Sequence, residues 1–149
     1  MANHLHRQIR EAIVTKLTGL ATTGANVVGS RDIVLDGNRL PGLRVYLDGE
    51  TAQPLTLHAN HIQERRLDVL VDACAKAVTG LENTLDQIKL EVEVALAAGI
   101  TVGGKLLDVY YAGIRPDDDQ QADKPAGVKT LQFLVPFFCP STAPDTLAQ

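Results

Sequence analysis

Two runs with inward apolar residues at every second position constrain this chain most: Arg66-Leu67-Asp68-Val69-Leu70-Val71-Asp72, and the stretch from Val128 to Phe138. Successive side chains of an extended strand leave on opposite faces. Leu67, Val69 and Val71 therefore share one face, as do Leu131, Phe133, Val135 and Phe137. Between the two runs the period changes. Leu81, Leu85, Ile88, Val92 and Leu96 recur at three- and four-residue steps, which predicts a helix over about 80–98 that buries one stripe. Half-apolar strands and a striped helix can hide their apolar sides only against each other, so the chain is restricted to an α+β architecture.

The remaining elements extend that plan. Leu5, Ile9, Ile13 and Leu17 predict a first helix over about 4–18, with Asn3 as N-cap and Gly19 beyond its end. Val27-Val28, Asp32 to Leu35 and Leu43 to Asp48 read as strands, the last ended by Gly49, and the polar stretch Thr51 to Asn60 reads as a loop or hairpin tip. Thr79 and Glu82 have capping-box spacing before the second helix. Lys105 to Arg115 reads as one further strand. The order α-β-β-β-α-β-β predicts a mostly antiparallel sheet with two amphipathic helices packed on one face, a single domain over 1–138. Residues 139–149, with two Pro and small polar side chains, read as a loose tail.

Charge excludes some functions. The 149 residues carry 18 acidic and 14 basic side chains, a formal charge of -4, with no basic run longer than Arg65-Arg66. Wrapping nucleic acid needs a basic face that displaces counterions from phosphates. The uncharged stretch from Val94 to Gly104 is about half of the roughly 20 apolar residues that a membrane helix needs. The N-terminus lacks the basic-then-apolar order of a secretory signal, which places the chain in a reducing cytoplasm with Cys74 and Cys139 as thiols.

No catalytic set emerges. Gly99-Ile100-Thr101-Val102-Gly103-Gly104-Lys105 has the glycine and lysine spacing of a phosphate loop, but Leu106 stands where a hydroxyl must hold Mg²⁺. The loop also leaves a helix and enters a strand, the reverse of the order that aims helix N–H groups at phosphate. It reads as a plain helix-to-strand turn. His58 with His61, and His4 with His6, have zinc-like spacings but no nearby thiols, and read as solvated loop histidines. Neither a Gly-x-Ser-x-Gly elbow nor a local Cys-His signature is present, and Cys74 reads as a small buried residue. The run Asp117-Asp118-Asp119 could hold Mg²⁺ or Ca²⁺ through oxygen ligands, although the offsets of a calcium loop are missing; solvation or contact with a partner is the simpler reading.

The order of these elements, with Leu40-Pro41-Gly42-Leu43-Arg44-Val45-Tyr46-Leu47-Asp48-Gly49-Glu50 and Arg115-Pro116-Asp117-Asp118-Asp119, resembles the lambda-like minor tail protein U family over about residues 3–138. These are the tail terminators of long-tailed bacteriophages. The resemblance implies a structural protein and no enzyme: a hexameric ring that caps the tail tube, stops its polymerisation and offers its other face for head joining. The implied partners are other copies of the chain, the tail tube protein and a head completion or neck protein, at the neck end of the virion tail after assembly in the host cytoplasm. Genomic DNA would pass through the channel without sequence-specific binding, and channel carboxylates would repel its phosphates. The expected interface residues are Arg44, Tyr46, Asp48, Glu50, Arg115, Asp117, Asp118 and Asp119. No cofactor is implied, although Mg²⁺ would ease repulsion between carboxylates during assembly. The alternatives are a neck or head-tail connector subunit and, from another class, a Mg²⁺-dependent nuclease or phosphohydrolase built on the Asp run.

Overall fold

The computed structural model describes residues 3–33, 35, 37–76, 79–115 and 126–148. Helix α1 spans Leu5–Leu17 and buries Leu5, Ile9, Ile13 and Leu17, the stripe that the sequence predicts. Its cap differs. The Nδ1 of His4 accepts the His6 N–H at 3.0 Å, while Asn3 uses its carbonyl oxygen to accept from the Gln8 side chain at 2.6 Å. At the other end the Thr18 N–H and hydroxyl both donate to the Val14 carbonyl, and Gly19 turns the chain out at φ 95°.

Strand β1 (Val27–Val28) lies parallel to β2 (Gly42–Pro54), placing Val27 opposite Leu43. Asp32, Ile33 and Leu35, expected in a strand, lie outside one; the Asp32 N–H bonds to the Ser30 hydroxyl in a bend. Leu35 is buried over Gly42, where a Cβ would collide with the carbonyl oxygens of Arg39 and Asn26. Only glycine fits that crossing.

Strand β3 (Ile62–Lys76) pairs antiparallel with β2. Gly49 does not end β2 as expected, because a bulge between Leu47 and Glu50 absorbs the extra residue and the ladder resumes to Pro54 opposite Gln63. The expected loop thus shrinks to a tip at 55–61. Helix α2 (Leu81–Ala97) buries Leu85, Ile88, Val92 and Leu96. The capping box does not form: Gly80, at φ 72°, is the boundary residue, and this moves Glu82 one place too early in the first turn to reach back.

The glycine-rich turn after α2 is itself a hairpin. Strands β4 (Ile100–Val102) and β5 (Lys105–Leu107) form a separate two-stranded sheet around Gly103 and Gly104, whose φ values of 57° and 78° suit a two-residue turn. The expected strand 105–115 is therefore two pieces, and β6 (Tyr110–Arg115) joins the main sheet. The last strand, β7 (Ala126–Pro140), runs antiparallel between β3 and β6, giving the order β1-β2-β3-β7-β6.

The fold is thus α+β, with two helices and a mixed, mostly antiparallel five-stranded sheet. The buried stripes of α1 and α2 join one apolar cluster with Leu43 and Val45 of β2, Leu67, Val69 and Val71 of β3, and Leu131, Phe133, Val135 and Phe137 of β7. Residues 140–148 do not hang loose. The Leu5 N–H donates to the Pro144 carbonyl at 3.0 Å, the Ser141 N–H to His61 at 2.9 Å and the Ala148 N–H to Phe138 at 2.9 Å, while Leu147 is buried. Among the described residues no helix is long and apolar enough to cross a membrane.

Candidate functional site

Strand alternation sends polar side chains to the sheet face opposite the apolar cluster, and the registers align them in a row. Arg44 of β2 lies opposite Asp72 of β3, Asp72 opposite Thr130 of β7, and Thr130 opposite Arg115 of β6. Directly opposed residues share a face, so four strands contribute to one surface feature. Asp72 is its centre and is 2% exposed. The Arg44 guanidinium donates to its Oδ2 at 2.7 Å, while the hydroxyls of Thr130 and Tyr46 donate to Oδ1 at 2.7 and 3.1 Å. A carboxylate so deep in the fold needs these donors, because burying an uncompensated charge costs several kcal/mol.

Tyr46 carries the row towards the chain's other polar groups. The Arg31 guanidinium stands 5.6 Å from the centroid of its ring. Arg115 extends the row with an ion pair to Asp48 at 2.5 Å. Burial, and then the Asp72 carboxylate, push the Tyr46 hydroxyl up from its usual 10 to about 12. The folded state holds that proton more tightly than the unfolded chain. This contribution to stability is therefore complete below about pH 10 and declines as pH rises towards 12. Denaturant titrations between those values should show stability falling more steeply in the wild type than in Tyr46→Phe, and equal slopes would show that Tyr46 is not the group responsible.

The structure thus brings Arg44, Tyr46, Asp48 and Arg115 to one face. Glu50, two residues after Asp48, goes to the other, because the bulge at 47–50 places it opposite Leu67. There its carboxylate lies 2.6 Å from the His6 Nε2 and 3.6 Å from Arg65. Asp117, Asp118 and Asp119 lie outside the described residues. The pair His4 and His6, expected in a solvated loop, instead caps and opens α1, with ring centroids 4.4 Å apart. Burial, then the neighbouring His6 and Arg65, lower the His4 pKa below its usual 6.5, in keeping with an Nδ1 that must stay unprotonated to accept a hydrogen bond.

Asp72 is the residue that sequence reading passed over, although it ends the most regular strand pattern. A carboxylate within an otherwise apolar run, Val69-Leu70-Val71-Asp72-Ala73-Cys74-Ala75, was the available signal. Among the described residues, no group of three or more His, Cys, Asp or Glu side chains is placed to hold a metal ion. The row is a set of charges and hydroxyls paired with one another across four strands, around a carboxylate that is itself buried.

No family model matches the chain, and no curated protein does. A solved structure described as the virion of a native gene transfer agent particle contains a chain of similar fold: the TM-score is 0.51, the identity 19%, and the match covers 89% of this chain and 90% of that one.

Proposed function

We propose that this protein is a structural subunit of a phage-like virion and, more narrowly, a tail terminator. The observation that carries this reading is the fold likeness to a chain of a gene transfer agent virion over nearly the whole of both chains. The sequence resemblance to tail terminators, made on other grounds, agrees with it. The mechanism is occupancy. Six copies close into a ring whose surface complements the last ring of the tail tube, and the docked ring covers the site at which another tube subunit would add. The opposite side of the ring receives the head completion protein, and DNA crosses the central channel, from which the chain's net charge of -4 discourages binding. No enzymatic step and no cofactor enter this scheme; Mg²⁺ acts only by screening.

Negative-stain microscopy of the purified protein, alone and mixed with tail tubes, tests the reading. Rings with a central hole that sit on tube ends and stop elongation are the expected result. Binding to a portal or neck assembly, with tubes left to grow, would place the subunit in the connector. Particles that stay monomeric at every salt and Mg²⁺ concentration and ignore tube ends would sink the terminator reading. Metal-dependent hydrolysis of nucleic acid would replace it with the enzyme.

A further inference from the structure

The first N–H groups of an α-helix have no partner within the helix. In α1 those of Leu5, His6 and Arg7 donate to the Pro144 carbonyl, the His4 Nδ1 and the His4 carbonyl, each at 3.0 Å. One acceptor thus comes from the C-terminal segment and one from a side chain whose type titrates near neutral pH. Gln8 ties the same turn down, since its side-chain amide donates to the Asn3 and Asp145 carbonyls at 2.6 and 2.9 Å. Residues 141–148 form a strap held to the body of the fold by Ser141 on His61, by Pro144 and Asp145 on α1, and by Ala148 on Phe138. Leu5 and Leu147, 1% and 8% exposed, both belong to the core cluster, so helix start and strap share one apolar anchorage.

The His4 ring caps the helix only while it is neutral. Accepting at Nδ1 leaves its proton on Nε2, and a second proton would set a donor against the His6 N–H. Among the described residues, the charged groups that act on this ring are His6 on α1, with ring centroids 4.4 Å apart, Arg65 on β3, Glu50 on β2 and Asp145 on the strap. Burial, then His6 and Arg65, disfavour the cation; Glu50 and Asp145 favour it and are outweighed. The Glu50 carboxylate is already engaged, 2.6 Å from the His6 Nε2 and 3.6 Å from Arg65. A charged His6 pairs with that carboxylate and is thereby held beside His4, where it repels a second imidazolium.

We propose that His4 is a pH-operated latch: protonation of its ring opens the first turn of α1 and frees the strap, residues 141–148, from the helix while the sheet stays intact. Once the turn opens, Leu5 and Gln8 no longer present their donors to Pro144 and Asp145. Because the folded state binds this proton less readily than the unfolded chain, the latch is complete above about pH 6.5 and is lost as pH falls through the lowered His4 pKa. The latch is built within a single chain and does not depend on the virion role proposed above.

Hydrogen exchange of the full chain, read by NMR and corrected for the intrinsic pH dependence of exchange, tests this between about pH 7.5 and about pH 5. The amides of Leu5, His6 and Ala148 should lose protection by about fivefold, the usual worth of an N-cap, while those within β3 should keep theirs. His4→Asp supplies a cap that stays ionised over this range and should remove the step. His4→Ala should leave the same amides at the low level at both pH values. His6→Gln and His61→Gln remove the neighbouring imidazoles but keep the latch, so each should retain a step. Unchanged wild-type protection in acid, an equal loss throughout β3, a step that survives in His4→Asp or His4→Ala, or one that vanishes in His6→Gln or His61→Gln overturns the proposal. If His4→Asp melts early, His4→Asn replaces it as a cap that does not titrate, and the same outcomes decide.

Discussion

Replacing Asp72 by alanine is expected to destabilise the fold by about 3–5 kcal/mol, the range for breaking a buried ion pair by removing one partner. The cost has three parts. Arg44, whose Nε is already buried without a partner, loses its only described counter-ion, and the Tyr46 and Thr130 hydroxyls lose their shared acceptor. Asp72→Asn keeps an acceptor oxygen but still strands the Arg44 charge, so it should fall between alanine and wild type. The double variant Arg44→Met with Asp72→Leu should recover more than half of the alanine loss, because apolar groups of similar volume remove the stranded charge. Urea unfolding of the four proteins measures this. An Asp72→Ala variant within about 0.5 kcal/mol of wild type, the range of ordinary surface substitutions, would show that the row is incidental.

Phe133→Ala should cost a similar amount, about 3–5 kcal/mol, through a different mechanism. Phe133 is 1% exposed in the middle of β7, opposite Val69 on one side and Tyr111 on the other, with the Tyr111 ring edge-on at 5.6 Å. Truncation removes the apolar area, the ring contact and the support of β6, and the cavity cannot close because strands on both sides hold their spacing. At this chain length the loss corresponds to a fall in melting temperature of about 6–20 °C. Tyr110→Ala, one residue from Tyr111 but 53% exposed, should change stability by less than about 0.5 kcal/mol. Equal effects of the two substitutions would mean that β6 and β7 do not pair in this register.

The chain announced what each segment would hide. The inward sets Leu67-Val69-Val71 and Leu131-Phe133-Val135-Phe137, and the stripes of α1 and α2, are buried as their spacing requires. Alternation and helical period are local consequences of having one apolar side, so they can be read within a dozen residues. Ends and partners are another matter. The bulge that turns Glu50 away from Asp48, the cap supplied by His4, the one-residue shift that spoils the Thr79 box, and the docking of residues 140–148 beside α1 each depend on groups distant in sequence. The Arg44-Asp72-Thr130-Arg115 row is the plainest case, because its members span 86 residue steps from Arg44 to Thr130 and meet only through three strand registers. Each of those residues alone reads as an ordinary polar side chain on the outer face of a strand. Register is set by the whole sheet, through the burial of every inward residue together, and so the tertiary structure alone decided which charges would stand side by side.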